Sequence, residues 1–394
     1  MKIAMYVPSW PPDNSANGIV SYAGHVIPAL RELGHEVFVL ARHSEDTKDL
    51  RISQIGAFRE AMPFWNRALF RLAPTSAMYH ADAAPLARAV KALVTRHEID
   101  ILEMEESYGL SYAITKLALV PVVVRLHGPW FLTKSFEDAR REALERRGII
   151  TAAGVTAPSN QILRSVERQY RLKLRKSLTF GNPVSVPSCK WRVSNCNVNS
   201  LLFIGRFDEL KGGDLVINAF GRLAENNPKL TLTFVGPDYG IDGMKLWDYA
   251  RTRLSPDALS RLDYRGRLSS VEVEKLRPLH FVTICASRFE VFPYTVLEAL
   301  AVGCPLVTSD VGGIPEIVRS GQSGILFESG NIDDLVSSVQ SLLDNPDFAG
   351  GLGRRGRRSL RRYRPEAIAA LVTDFYEQSI QSFKARHRTP SLKM

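Results

Sequence analysis

The chain has 394 residues, of which 45% are hydrophobic and 23% charged, with a formal net charge of +10. At roughly 100–200 residues per domain that length can build two hydrophobic cores, and the composition excludes disordered and fibrous classes. No run reaches the roughly 18 uninterrupted apolar residues of a membrane span, and the opening MKIAMYVPSW enters a strand-like run with no signal-peptide core, so a cytoplasmic rather than membrane-integral or exported protein is expected.

Short apolar, β-branched runs recur between amphipathic segments. In the first half they are Lys2–Val7, Val37–Ala41, Ile99–Glu103 and Val120–Leu126. In the second they are Leu201–Phe207, Leu230–Gly236, Phe281–Ala286 and Pro305–Ser309. Strand runs of this length alternating with helical spacing predict β-α-β units, hence parallel sheets covered on both faces. The Pro-, Ser- and Asn-containing stretch Pro183–Ser200 has weak periodicity and reads as an interdomain linker. This predicts a first domain over 1–185, a linker over 186–200 and a second domain over 201–364. Pro365 then opens a segment in which Ile368, Leu371, Val372, Phe375, Ile380 and Phe383 keep helical spacing, an amphipathic helix with proline in its first turn.

The positive charge is uneven. Residues 1–190 carry 25 Lys and Arg against 18 Asp and Glu, a net of +7; residues 191–350 carry 15 against 20, a net of −5. Residues 351–394 carry 11 against 3, a net of +8, largely in the run Arg354, Arg355, Arg357, Arg358, Arg361, Arg362 and Arg364. Such ends could attract an anionic lipid surface or a phosphorylated acceptor, or be solvated helical faces. Basic residues are not interleaved with aromatics and no zinc-finger spacing occurs, which ranks nucleic acid last. The cysteines, Cys189, Cys196, Cys285 and Cys304, form no C-x-x-C pair, which argues for a reducing compartment and against structural zinc. Cys285 and Cys304 lie in or beside apolar runs and read as small buried hydrophobes.

G-x-G-x-x-G is absent after the first strand, and G-x-x-x-x-G-K-[ST], H-E-x-x-H, G-x-S-x-G and Asp-x-Asp are absent altogether. Those absences disfavour a simple dehydrogenase, a Walker-type NTPase, a zincin, an α/β-hydrolase and a carboxylate-held divalent ion. What remains is the dense segment after the run Phe281–Ala286. There Glu290 sits in a loop and Glu298 about a turn into the following helix, with Gly312, Gly313, Pro315 and Glu316 downstream. A helix start offers backbone N–H groups to an anion, and two carboxylates can accept hydrogen bonds from sugar hydroxyls.

That segment resembles the E-x7-E signature of retaining glycosyltransferase family 4. LLFIGRFDELKGGDLVINAF at 201–220, NGIVSYAGHVIPALRELGHEVFVLA at 17–41 and RLHG at 125–128 are similar to other parts of the family, in the right order. The resemblance implies the GT-B fold: two Rossmann-like parallel-sheet domains facing a central cleft, with a C-terminal helix, about 365–394, crossing back to complete the first. It implies metal-independent, retaining transfer from a UDP- or GDP-sugar to a glycan or lipid-linked acceptor, in cell-surface polysaccharide or lipopolysaccharide assembly. No cofactor is expected; a peripheral contact with the inner face of an anionic membrane is the further expectation, and the basic segments motivate it.

By the same resemblance, Arg206 and Lys211 match the donor diphosphate pair, and Gly18 a glycine of the N-terminal loop that approaches the phosphates. Glu298 matches the ribose-binding carboxylate, Glu290 the carboxylate on the donor sugar, and His127 the histidine near that sugar. Glu290 and His127 are therefore the catalytic candidates, and the backbone of Phe292, Tyr294, Thr295 and Val296 would line the donor. Two departures stand out: Pro293, which has no N–H, occupies a position where many relatives have glycine, and Asn17 replaces the usual glycine before Gly18. Gly312, Gly313 and Glu316 are read as shaping a turn and capping a helix. The rival readings are a catalytically silent nucleotide-sugar-binding relative and a GT-B-type epimerase or phosphorylase.

Overall fold

The computed structural model describes residues 1–12, 17–44, 49, 51–55, 74–133 and 138–388. The chain divides into two compact units, one of residues 1–183 with 365–394 and one of residues 184–364.

The first unit is built on a sheet of seven strands: β1 Lys2–Trp10, β2 Glu36–Ser44, β3 Ile52–Gln54, β4 Ile101–Glu105, β5 Val122–Arg125, β6 Gly154–Ala157 and β7 Ser177–Thr179. Their order is β3-β2-β1-β4-β5-β6-β7, with every pairing parallel. The second unit holds β8 Asn197–Ile204, β9 Thr231–Val235, β10 Leu262–Gly266, β11 His280–Cys285, β12 Leu306–Ser309 and β13 Ile325–Phe327. Its order is β10-β9-β8-β11-β12-β13, again all parallel. Each sheet is Rossmann-like, and the chain direction across the sheet reverses at β1/β4 in one unit and β8/β11 in the other. The carboxyl ends of strands at such a reversal are where open α/β sheets bind ligands.

All eight expected strand runs contain a strand, with ends that shift by a few residues. The largest shift is at the start of β8, which begins at Asn197 rather than Leu201; it ends at Ile204 and leaves Gly205–Phe207 outside the strand. The sequence reading missed β3, β6, β7, β10 and β13. They are three to five residues long, no shorter in the case of β6 and β10 than the expected β5 and β12, but none holds a β-branched run like Val122–Val124 of β5.

Residues expected as a linker lie inside the second unit, which begins at Val184. Trp191 is buried in its core and donates its indole N–H to the His280 carbonyl at 2.8 Å, and β8 already starts at Asn197. Weak periodicity here marks an extended segment anchored by single side chains rather than a tether.

The helix Pro365–Arg388 packs on the first unit, where Ile368, Ala369, Val372, Phe375, Tyr376 and Ile380 join the core of β1, β2 and the helix Gly18–Glu32. Leu371, expected on its apolar stripe, is instead 43% exposed. The buried face is the row Ile368, Val372, Phe375 and Ser379 with Ala369, Tyr376 and Ile380 beside it, and Leu371 points off that row. Residues 389–394 of the expected helix lie outside the described residues. The arginine run is partly committed within the second unit. Arg357 donates to the carbonyls of Pro187, Cys189 and Ala301, Arg355 to that of Gln322, and Arg362 to that of Glu316. Cys285 and Cys304 are buried free thiols, and burial pushes Cys304 up to about 12. No helix among the described residues is long and apolar enough to cross a membrane.

Candidate functional site

In the second unit the loop after β8 carries Arg206 and Lys211, and the loop after the adjacent β11 carries Glu290. Phe207, fully buried, pins the first loop from below, and its N–H donates to the Pro237 carbonyl at 2.9 Å. Gly212 ends the loop at φ +72° and caps the helix Gly213–Asn226. A Cβ at Gly212 would overlap the Ala286 carbonyl, so glycine is what lets the two loops touch.

The side chains then meet. Lys211 Nζ donates to Glu290 Oε1 at 2.6 Å, and Ser287 Oγ donates to the same oxygen at 2.7 Å. Asp208 fastens both cation-bearing residues: it accepts from Arg206 Nε at 2.5 Å and from the Lys211 backbone N–H at 2.7 Å. Arg288 locks the loops further with a forked pair to Asp214 at 2.7 and 2.6 Å. Burial by itself would lower the Lys211 pKa, but the Glu290 carboxylate overrides it and raises the pKa, so the ammonium stays charged. Gly312, at φ +56°, sits so close to the Glu290 carbonyl that a Cβ would overlap it. Gly312 therefore shapes the seat of Glu290 as well as its own turn.

The helix Tyr294–Val302 begins directly after Pro293, its N-cap, and no side chain caps it. The first-turn amides of Tyr294, Thr295 and Val296 are the end of that helix where the dipole is positive, while Phe292 is buried against Tyr363. Pro293 has no N–H, so the amides that this helix start can offer begin at Tyr294. Glu298 lies in this helix with its side chain 45% exposed and accepts from Arg277 Nη2 at 2.6 Å. Sequence reasoning missed Asp208, Ser287 and Arg277. Asp208, two residues beyond Arg206, could have been found locally; Arg277, 21 positions before Glu298, carries no local signal.

In the first unit Gly18 opens the helix Gly18–Glu32, and Asn17 is its N-cap, accepting from the Ile19 N–H at 2.9 Å. Asparagine at this position gives the helix a side-chain cap. His127 follows β5 by two residues and is half-buried, edge-on to the Tyr22 ring at 5.4 Å. The loop that carries it is held by Glu106, which follows β4. The Glu106 carboxylate accepts from the His127 N–H at 2.9 Å and the Gly128 N–H at 2.7 Å. Burial and then the nearby Glu105 and Glu145 raise Glu106 to about 8, while burial and the Arg125 guanidinium push His127 well below its usual value. The imidazole is therefore neutral at neutral pH. Among the described residues no group of three or more His, Cys, Asp or Glu side chains is arranged to hold a metal ion.

Comparison with known proteins adds to this geometry. The model of Glycosyl transferases group 1 matches residues 193–359, and that of Glycosyltransferase Family 4 matches residues 16–186. A glycogen synthase of Mycobacterium tuberculosis is 34% identical over 160 residues, 41% of this chain and 37% of that protein. The chain thus spans well under half the length of that relative. Sucrose-phosphate synthase from Thermosynechococcus elongatus has a similar fold, with a TM-score of 0.76 at 20% identity over 97% of this chain and 99% of the other. HepE of Anabaena, solved in complex with UDP-glucose, has a TM-score of 0.71 at 18% identity over 96% and 99%.

Proposed function

The chain belongs to glycosyltransferase family 4, and we propose that it moves a sugar from a nucleoside-diphosphate donor to an acceptor hydroxyl, without a metal ion and with retention of the anomeric configuration. The observation that carries this reading is the meeting of Lys211, Arg206 and Glu290 at the carboxyl ends of neighbouring strands β8 and β11. A diphosphate leaving group gains negative charge as the glycosidic bond breaks. Two fixed cations stabilise that charge more in the transition state than in the ground state, which is the service a metal ion would otherwise supply.

On this reading a bound diphosphate shares Lys211 with Glu290, and the amides of residues 294–296 face the same anion. Glu298 takes the ribose. Retention follows from attack on the face the phosphate leaves, with a departing phosphate oxygen taking the acceptor proton. The solved complex of HepE with UDP-glucose favours a uridine donor. The net +7 of residues 1–190 favours an anionic glycan or a lipid-linked one as acceptor, in polysaccharide or lipopolysaccharide assembly.

The test is a calorimetric and thermal-shift panel of UDP, GDP, ADP and their sugar conjugates in EDTA, on wild type and on Arg206→Ala with Lys211→Ala. One nucleotide should stabilise the wild type, by about 2.7 kcal/mol at a hundred times its dissociation constant, and leave the double variant unmoved. Anomer-resolved NMR of the product then checks retention. Binding to neither protein, with or without added metal, would overturn the reading.

A further inference from the structure

Arg277 is one of the largest fully buried side chains in the molecule, with 1% exposure, and it stands outside every motif recognised in the sequence. It begins the short 3-10 turn Arg277–Leu279 that leads into β11. Its guanidinium reaches Glu298, with Nη2 donating to Oε2 at 2.6 Å. Its Nη1 is buried with no hydrogen-bond partner among the described residues.

A guanidinium with one charge partner and an unpaired nitrogen is a poor stabilising device, because burying the charge costs more than a single ion pair returns. Asymmetric exposure makes the arrangement intelligible: the arginine is enclosed, whereas the Glu298 side chain is 45% exposed. The buried partner fixes one oxygen of a carboxylate whose remaining acceptor sites face outward. Unpaired, a glutamate on a helix surface would sample several rotamers and would lose that freedom on binding a ligand.

We propose that Arg277 is a positioning residue for recognition of the donor's ribose: by clamping Oε2 of Glu298 it presets the carboxylate to accept the sugar hydroxyls of a nucleoside diphosphate. This rests on the reading of Glu298 as the ribose carboxylate, and it adds a residue that sets how strongly ribose is told from deoxyribose. Arg277 itself touches no ligand. Its effect should therefore be confined to the part of the ligand that Glu298 meets.

The experiment measures, by calorimetry, the affinity of the full chain for UDP or GDP, whichever binds in the panel above, for its 2′-deoxy form, and for inorganic pyrophosphate. Wild type should prefer the ribonucleotide by about tenfold or more, since a site built to bond a hydroxyl rejects the analogue that lacks it. Arg277→Met should bring that preference to about twofold while pyrophosphate affinity stays within about twofold of wild type. Glu298→Gln should lose the same preference, and the double variant should be no worse than either single one. Should Arg277→Met not fold, Arg277→Lys decides. A lysine lacks the planar fork, so the preference should drop to about threefold, and an unchanged preference overturns the proposal.

An Arg277→Met protein that melts earlier but still prefers the ribonucleotide tenfold would show that the arginine only supports the fold. Wild type that binds pyrophosphate and nucleotide without any ribose preference would overturn the assignment of Glu298 and this inference with it. Wild type that binds neither would overturn the transferase reading itself.

Discussion

At the scale of single residues, the candidate site is a chain of dependence more than a set of independent contacts. Lys211 neutralises Glu290, Asp208 holds Lys211 and Arg206 in place, and Gly312 leaves room for the Glu290 backbone. Lys211→Ala removes a cation that the proposed scheme places on the leaving diphosphate and leaves Glu290, 8% exposed, with Ser287 as its remaining side-chain donor. A fall in kcat of about 10²–10³-fold is expected in steady-state assays, by analogy with removal of a single donor from a preorganised charge site. Asp208→Ala should weaken nucleotide binding although it contacts no nucleotide in the proposed scheme, because both cations lose their tether. Gly312→Ala forces a left-handed backbone on alanine and drives its Cβ into the Glu290 carbonyl. A loss of about 1–3 kcal/mol in unfolding free energy, read from urea denaturation, is expected. The sequence displayed Arg206, Lys211, Glu290, Glu298 and His127 because they sit in runs with recognisable neighbours. It concealed Arg277 and Glu106 because a hydrogen-bond partner has no spacing rule once the chain has folded back on itself, whereas Asp208, two residues from Arg206, was locally available.

Among the elements, strands lying in clear apolar runs were legible, the four-residue β5 and β12 included, and five further short ones were not. β1 and β2 pair over eight positions and read as apolar runs, whereas β7 and β13 pair over three each and depend on a neighbour to become strands at all. The helix Pro365–Arg388 shows the same division: its amphipathic character was visible in the sequence, and its exact buried face was not, as Leu371 shows. Tyr376 explains part of that choice. Its hydroxyl donates at 2.7 Å to Glu103, a carboxyl group 3% exposed in the middle of β4, and Tyr22 lies on the same oxygen at 3.4 Å. Tyr376→Phe should destabilise the first unit by about 1–3 kcal/mol, since it leaves a buried acceptor short of its best donor, and thermal melting should show it. Gly154→Ala tests the packing of the same helix from the sheet side. A Cβ there would stand 2.7 Å from the Phe375 ring, so the helix must shift or the strand must yield. The Tm should fall by about 2–4 °C for each kcal/mol lost, the range for a unit of this size.

For the whole molecule, the two units differ in how they treat charge. Among its described residues the first buries four carboxyl groups, Glu103, Glu105, Glu106 and Glu145, and burial raises the pKa of each. A raised carboxyl pKa means that the folded state holds a proton the unfolded state has released, so stability is greatest below the unfolded value and falls as pH rises through the folded one. For Glu106 that window runs from the ordinary carboxylate range up to about 8. The Tm should therefore decline from about pH 5 to about pH 8 and level off above that, and Glu106→Gln should flatten the decline; calorimetry at matched ionic strength would show either result. By itself the sequence determined the alternation of strand and helix, the two halves, the family resemblance and the residues that carry the motif. These follow from local periodicity and from side chains a fixed distance apart along the chain. Tertiary structure alone decided that residues 186–196 belong to the second unit, that Arg277 stands beneath Glu298 and that four carboxyl groups share the interior of the first unit. Burial and pairing are properties of three-dimensional neighbours, and those become defined only when the sheets close over segments that the chain itself keeps far apart.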